Sequence, residues 1–331
     1  MRVVLATDDG VYLIRWLAGE RAGTVLSRAL EGRQVASLAG STGALYAAIP
    51  EIGVLRSNDG GGSWDSLASL PSSAKPLSLA VLPSGDLLVG TEPAGLSRSS
   101  DSGSSWTEVA GFGRLSETET WSDYGNRAAH VQALAFDAHD AARLYAGVEI
   151  GGAYRSDDNG ITWAGVNDGM YDDIHDIAID PRDGTRLFAA TGGGLYVSTD
   201  RGADWRPVAG ELGEKYCTRL LVIAGSRAAG SSQTLFLVGT ADGPPSTWGK
   251  SGSKAGGALW VSRDSGSTWS NQGSKGLKGG SPVTALATDP AHPATVLVGT
   301  AGGNLVHGHL MDDRWHRLLY GVGAINAILV V

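Results

Sequence analysis

The stretch SDDNGITW, residues 156–163, decides the fold because its pattern recurs along the chain. Four further segments share the pattern Ser-x-Asp-x-Gly-x-x-Trp. They begin at Ser57, Ser99, Ser198 and Ser262 and end at Trp64, Trp106, Trp205 and Trp269. Successive tryptophans are 42, 57, 42 and 64 residues apart, so the unit is about 42 residues with insertions in two places. Trp315 marks a degenerate sixth copy.

The residue types of this pattern are those of a tight turn. Aspartate accepts hydrogen bonds from backbone N–H groups within a turn, and glycine tolerates a positive φ angle. The tryptophan then begins the next strand and buries a large ring. We therefore predict a structural role for all five turns, with none of their aspartates catalytic.

Each repeat also carries three strand signals, as residues 131–136, 144–148 and 152–156 illustrate. Short, evenly spaced strands separated by turn signals predict an all-β propeller with four strands, A to D, in each blade. Blades 2 to 7 begin near Val35, Leu77, Val131, Ile174, Thr218 and Val283.

The first blade needs both ends of the chain. Residues 3–6 are predicted to form a B strand, followed by C at 11–16 and D at 25–30, while residues 324–331 supply the missing A strand. Pairing of the C-terminal strand with the N-terminal strands would close the ring and remove an exposed sheet edge. The prediction is one seven-bladed β-propeller domain of residues 1–331, with four-stranded blades.

The repeat resembles the Asp-box (BNR) repeat of sialidase-like β-propellers, and its five copies cover most of the chain. The stretches HVQALAFD, YAGVEIGGAYRSDD, DIHDIAIDP and ADGPPSTWG are similar to cytoplasmic bacterial Asp-box proteins that are often called glycosyl-hydrolase-like. The architecture also resembles that of photosystem II assembly factors, seven-bladed propellers that use their faces for protein contacts. A typical sialidase is not implied, because the Phe/Tyr-Arg-Ile-Pro start and a framed arginine triad are absent.

Charge and composition narrow the class of partner and the cellular location that we expect. The formal net charge is −8, which argues against nucleic acid or an anionic membrane as partner. No apolar run approaches 18 residues, so no transmembrane helix is expected. The single cysteine, Cys217, excludes an intrachain disulfide, and the N-terminal apolar run is too short for a secretory signal. We expect a cytoplasmic protein.

Two insertions, residues 113–130 and 240–257, are predicted to lie at the mouth of the central channel, where loops on a rigid scaffold carry function. The ligand-binding residues expected there are Trp121, Tyr124, Arg127, Tyr216, Arg219, Asp242 and Trp248. Trp121 and Trp248 are candidates for stacking against a ring-shaped ligand. The alternative is that each tryptophan packs its loop onto the blade.

Carboxylates and histidines are expected to meet at the same mouth. Glu92 and Glu149 follow B strands, and His130 and His175 open A strands. We predict catalytic roles for Glu149, Glu92 and His175. His130, Glu149 and His175 could also hold Zn²⁺, Mn²⁺ or Fe²⁺. Metal-free ligand contacts and ordinary hydrogen-bonded loop residues are the alternatives.

Two histidines outside this mouth have a spacing seen in metal sites. His307 and His309 are two residues apart on a predicted strand of blade 7, but the sequence offers them no acidic partner. Alternation towards solvent is the simpler expectation for this pair.

Two functions remain open from the sequence. The first is binding of a small molecule or glycan at the channel mouth, with a glycosidase-like hydrolase or lyase activity that a metal could assist. The second is a non-catalytic scaffold that binds a protein partner. Fold alone does not decide between them.

Overall fold

The computed structural model describes residues 1–17, 20, 22–41, 43–115, 121, 128–225, 233–249, 255–272, 280–310 and 314–331. Within those ranges the regular secondary structure is almost entirely β-strand. Their helical segments include one α-helical turn, Ala110–Gly113, and the 3-10 turns Pro71–Ser73, Glu211–Glu214 and Pro245–Thr247. No helix in the described ranges is long and apolar enough to cross a membrane.

The strands form seven four-stranded antiparallel sheets, and the fold is a seven-bladed β-propeller. This confirms the predicted fold class. The chain divides into two compact units. Unit 1 contains residues 1–35, 59–63 and 215–331, and unit 2 contains residues 36–58 and 64–214. The single-domain assignment of residues 1–331 stays a prediction.

Unit 2 holds the strands of blades 2 to 5, in the order A to D within each blade. They are β4 (Ser37–Ser41), β5 (Ala44–Ile49), β6 (Gly53–Ser57) and β7 (Asp65–Ser66) in blade 2; β8 (Lys75–Val81), β9 (Leu87–Glu92), β10 (Gly95–Ser99) and β11 (Thr107–Glu108) in blade 3; β12 (His130–Phe136), β13 (Leu144–Glu149), β14 (Gly152–Ser156) and β15 (Ala164–Gly165) in blade 4; and β16 (Ile174–Asp180), β17 (Asp183–Thr191), β18 (Gly194–Ser198) and β19 (Arg206–Pro207) in blade 5.

Unit 1 holds the strands of blades 1, 6 and 7. They are β28 (Ile325–Val330), β1 (Arg2–Thr7), β2 (Gly10–Arg15) and β3 (Thr24–Ala29) in blade 1; β20 (Tyr216–Ile223), β21 (Leu235–Ala241), β22 (Ala258–Ser262) and β23 (Ser270–Asn271) in blade 6; and β24 (Val283–Asp289), β25 (His292–Thr300), β26 (Leu305–His309) and β27 (Arg314–Leu319) in blade 7.

The C-terminal strand completes blade 1, as predicted. β28 pairs antiparallel with β1, with Val3 opposite Val330 and Leu5 opposite Ile328. β1 would otherwise present an unpaired edge, and β28 occupies it.

The B strands are apolar runs because they lie between strands A and C and are covered on both faces. β5 is buried along its whole length, and β13 is buried at every position but its last. This explains why the sequence shows continuous runs such as LYAG, where a half-exposed strand would show alternation.

A glycine in the B strand makes room for the next blade. A Cβ at Gly147 would lie 2.5 Å from Cγ2 of Ile174, which belongs to the A strand of blade 5. The same relation holds between Gly90 and Val131, Gly239 and Val283, and Gly299 and Ile325. Branched side chains of one blade therefore pack against glycines of the preceding blade.

The repeated turns, which we call Asp-box turns, join strands C and D. In blade 4 the Ser156 hydroxyl donates to Asp158 Oδ1 (2.8 Å) and accepts from the Gly160 N–H (2.8 Å). The Thr162 N–H donates to Asp158 Oδ1 (2.8 Å), and the Thr162 hydroxyl donates to Oδ2 (2.6 Å). Both carboxylate oxygens are thus used within the turn, which fits the predicted structural role.

These hydrogen bonds favour the ionised carboxylates. The side chain and the backbone N–H of Ser105 lower the pKa of Asp101 from 3.8 to about 2. The Thr162 hydroxyl has the largest part in lowering the pKa of Asp158, and the Asp204 N–H does the same for Asp200.

The tryptophan that ends each Asp box stands immediately before a two-residue D strand, and three of the five are buried. Trp205 is 1% exposed, and its Nε1–H donates to Val166 O (2.8 Å). It packs in one core with Ile177 and Leu187. The ring therefore ties its turn to the body of the blade.

Candidate functional site

The candidate site lies at the B–C end of blades 4 and 5. We use this name for the blade end that carries the turn between strands B and C and the connection into the next blade. The connection between blades 4 and 5 is fixed to both B–C turns. Asp172 O accepts from the N–H groups of Gly151 (3.2 Å) and Gly152 (2.9 Å), and Asp173 O accepts from the Gly192 N–H (2.9 Å).

His130 and Glu149 form the first polar pair of this site. They are direct cross-strand partners, since His130 opens β12 and Glu149 ends β13. The His130 ring is 3% exposed, and its Nε2 lies 2.8 Å from Glu149 Oε2. The Nε2 atom is nonetheless not aligned for a hydrogen bond with any group in the described ranges. Its Nδ1 lies 3.3 Å from Ala128 O.

Asp173 and His175 form the second pair. His175 Nε2 lies 3.3 Å from Asp173 Oδ1, and the histidine side chain is 6% exposed. Asp173 Oδ1 is buried and has no aligned donor among the residues that the structure describes. An imidazole beside a carboxylate can hold a proton and either donate to or accept from a ligand hydroxyl. In each pair one buried atom, His130 Nε2 or Asp173 Oδ1, lacks an aligned hydrogen bond within the described ranges.

Tyr171 adds an aromatic surface beside the second pair. Its side chain is 49% exposed although the residue is large and apolar in character. A Cβ on Gly193 would lie 2.6 Å from Tyr171 Cγ, so the ring rests against the B–C turn of blade 5. The sequence analysis missed Tyr171, Asp172 and Asp173. The signal that could have found them was Tyr171, an aromatic residue in the connection between blades 4 and 5. The three consecutive glycines 192–194 follow it in the chain.

Trp121 follows the alternative that the sequence left open, since it packs onto blade 4. Its Nε1–H donates to Tyr154 Oη (2.6 Å), and its ring lies 5.5 Å from the rings of Phe112 and Tyr154. Tyr154 Oη in turn donates to Gly151 O (2.8 Å). Trp121 therefore supports the B–C turn of blade 4. Tyr124 and Arg127 lie outside the described residues.

Glu92 is held by a lysine of its own blade. Lys75 Nζ donates to Glu92 Oε1 (2.9 Å), and the two residues are cross-strand partners like His130 and Glu149. This pair is aligned as a hydrogen bond, in contrast to the pair in blade 4. The structure places Glu92 in an ion pair one blade away from Glu149.

The remaining predicted ligand residues belong to unit 1 and make contacts within it. Arg219 Nε donates to Thr284 O (3.0 Å), and Nη1 donates to Thr218 O (3.2 Å). Asp242 Oδ1 lies 3.4 Å from Lys215 Nζ.

The other two predicted residues are part-buried in the same unit. Trp248 Nε1–H donates to Gly243 O (2.7 Å), inside its own loop. Tyr216 opens β20 opposite Ala241. Arg219 and Trp248 are thus engaged with backbone carbonyl groups.

Two further expectations concern the predicted metal site and the single cysteine. His130 and His175 have different carboxylate neighbours, and the described ranges contain no group of three or more His, Cys, Asp or Glu placed to hold a metal ion. Metal binding by His130, Glu149 and His175 stays a prediction that the described geometry does not support. Cys217 is buried, and burial raises the pKa of its thiol to about 12, which keeps it unreactive.

Comparisons with known proteins agree with the fold. No family model matches the chain. A xyloglucanase of Paenibacillus sp is 30% identical over 47% of this chain and 16% of its own length. The xyloglucanase Xgh74A of Acetivibrio thermocellus is 28% identical over 44% of this chain and 18% of its own length. The chain thus spans less than one fifth of the curated relatives that it matches.

Solved structures with the same fold include GH74 enzymes and YCF48. The GH74 xyloglucanase from Xanthomonas campestris has a TM-score of 0.64 at 22% identity, covering 93% of this chain and 47% of that one. YCF48 from Cyanidioschyzon merolae has a TM-score of 0.59 at 17% identity, covering 94% of this chain and 96% of that one. A structure of YCF48 bound to D1 peptide has a TM-score of 0.60 at 16% identity, covering 94% and 89%. At these identities the likeness concerns the fold alone.

Proposed function

We propose that the B–C end of blades 4 and 5 binds a ring-shaped, hydroxyl-rich ligand of the glycan type. The observation that carries the proposal is Tyr171, a half-exposed ring supported by Gly193 and flanked in the chain by the Asp173–His175 pair. An aromatic face suits the apolar face of a sugar ring, and carboxylate oxygens accept hydrogen bonds from its hydroxyls.

The two His–carboxylate pairs would supply the polar contacts. Buried polar groups are normally hydrogen-bonded, so the unaligned His130 Nε2 and Asp173 Oδ1 are groups that a ligand hydroxyl or a water molecule would satisfy. The side chains of Glu149 and Asp173 are 22% and 18% exposed, which leaves each carboxylate accessible from one side. The curated relatives' name, xyloglucanase, is consistent with a polysaccharide ligand.

We propose further that the chain is one propeller domain and that it lies in the cytoplasm. It would bind its ligand without a metal ion. Glu149 and His175 are the residues to test for hydrolysis, because a carboxyl group and an imidazole can each carry a proton in general acid–base catalysis. Glu92 is left out of the proposed site because its carboxylate already forms an ion pair with the ammonium group of Lys75.

The test is calorimetric titration of xyloglucan oligosaccharides into the full chain. We expect saturable binding that Tyr171→Ala weakens about tenfold, or 1.4 kcal/mol, the scale of a stacking contact. Glu149→Gln should weaken binding to a similar degree, whereas Glu92→Gln, at the matching register of blade 3, should not. Equal affinity in all four proteins would refute the site, and reducing-end release by the wild type would add catalysis to binding.

A second candidate is recognition of an extended peptide. One of the YCF48 structures is described as bound to a peptide. If the chain bound peptides from a random library and bound no oligosaccharides, this result would favour the second function over the first.

A further inference from the structure

Three histidines of blade 7 share one face of the hairpin β26–β27 in unit 1. His307 on β26 lies directly opposite His316 on β27, and their ring centroids are 5.4 Å apart with an interplanar angle of 31°. His309 is two residues further along β26, so its side chain leaves the strand on the same face as His307. None of these residues belongs to the site proposed above.

The indole ring of Trp16 packs beside the His307–His316 pair. Its ring centroid lies 4.4 Å from that of His307. The indole is 6% exposed, and its Nε1–H donates to Glu20 O (3.1 Å). The contact holds the His307 ring in place between Trp16 and His316, while the His316 side chain remains exposed to solvent.

We propose that His307 and His316 form a two-imidazole site for a transition-metal cation of the Cu²⁺ or Zn²⁺ class. Neutral imidazole nitrogens are preferred ligands of both ions, at about 2.0–2.1 Å for Zn²⁺. Rings on directly opposed residues of a β-hairpin can approach one ion together, because the side chains of such a pair leave the same face. Water would complete the coordination shell.

Among the residues that the structure describes, these two imidazoles are the proposed protein ligands. The described ranges contain no group of three or more His, Cys, Asp or Glu placed around a common point. The site is therefore open to solvent on the His316 side, and Cu²⁺, which binds nitrogen ligands more strongly than Zn²⁺ or Ni²⁺, is the ion of choice for a test.

The experiment is titration of the full, untagged chain with Cu²⁺, followed by tryptophan fluorescence and by the electron paramagnetic resonance spectrum. We expect one equivalent to bind, with nitrogen hyperfine structure and partial quenching of fluorescence. His316→Asn, at an exposed position, should weaken binding at least tenfold, and His307→Asn should do the same. Trp16→Phe should abolish most of the quenching while leaving the resonance spectrum of the bound ion unchanged.

His292→Asn is the matched control, because His292 is an exposed histidine of the same blade whose Nδ1 lies 2.8 Å from Asp289 Oδ2. It should bind Cu²⁺ as the wild type does, as should the variant His130→Asn/His175→Asn. Wild-type affinity in His307→Asn/His316→Asn would overturn the proposal. Loss of the ion only in His130→Asn/His175→Asn would also overturn it and would move the metal to the B–C end of blades 4 and 5.

Discussion

In the Asp-box turns the carboxylates accept hydrogen bonds from their own turns, whereas at the B–C end of blades 4 and 5 they face imidazoles that are close but not aligned. Asp158 illustrates the first case, with both oxygens used by Ser156 and Thr162. Glu149 and Asp173 illustrate the second, beside His130 and His175. Carboxylates are equally conspicuous in the sequence of both regions, so residue type alone does not separate structure from function. The proposal separates them by whether the imidazole beside each carboxylate is aligned for a hydrogen bond.

The largest effect is expected from Trp205→Ala, which removes the buried ring of an Asp-box turn. Loss of a fully buried large side chain should lower the free energy of unfolding by about 3–5 kcal/mol, measured by urea denaturation. Trp248→Ala is the control, because this tryptophan is part-buried and its Nε1–H donates to Gly243 O within its own loop. A loss as large for Trp248→Ala as for Trp205→Ala would contradict the division between core tryptophans and loop tryptophans.

A smaller, pH-dependent effect is expected from Asp101→Asn. The pKa of Asp101 is about 2 in the folded chain against an ordinary 3.8, so the unfolded chain binds more protons between these values. The stabilisation is therefore present above about pH 4 and is lost as the pH falls through about 2. The wild type should exceed Asp101→Asn in stability at pH 6, and the difference should shrink towards zero at pH 2.

Urea denaturation at pH 6, 4 and 2.5 measures that difference. Asp65→Asn is the control, since Asp65 is exposed on β7 and lies outside the Asp-box turn. A difference between wild type and Asp101→Asn that is constant across this range would mean that the carboxylate's charge has no part in the turn.

Much of the fold was predictable because the repeat is local and regular. The Ser-x-Asp-x-Gly-x-x-Trp spacing locates each C–D turn, and the apolar runs locate the B strands, so β13 and β14 were predicted to within one residue. The pairing of β28 with β1 followed from a missing A strand. Such features depend on residues near one another in the chain, where backbone geometry dictates the residue types.

The site was less predictable because its members were sought in unusually long loops. Tyr171 and Asp173 lie in a connection of ordinary length, so nothing in the spacing marked them. Trp121 lies in a long insertion and yet packs against Phe112. Glu149 lies opposite His130 and Glu92 lies opposite Lys75 across their strand pairs, and this difference can be predicted only when the register is known.

The smallest effect, and the sharpest test of the comparison, is expected from Glu92→Gln. Lys75 is 58% exposed, so its aligned ion pair with Glu92 contributes little, about 0–1 kcal/mol. Glutamine keeps an oxygen that can accept from the Lys75 ammonium group. The free energy of unfolding should fall by less than about 1 kcal/mol, and oligosaccharide affinity should stay within about twofold of the wild type.

The same substitution at the matching register of blade 4 should behave differently. Glu149→Gln replaces a carboxylate whose neighbour His130 is buried and not aligned, so its loss should appear in ligand affinity. If both substitutions reduced binding equally, alignment within a pair would not distinguish a structural carboxylate from a functional one. The ligand surface would then have to include blade 3, with Lys75 as a contact.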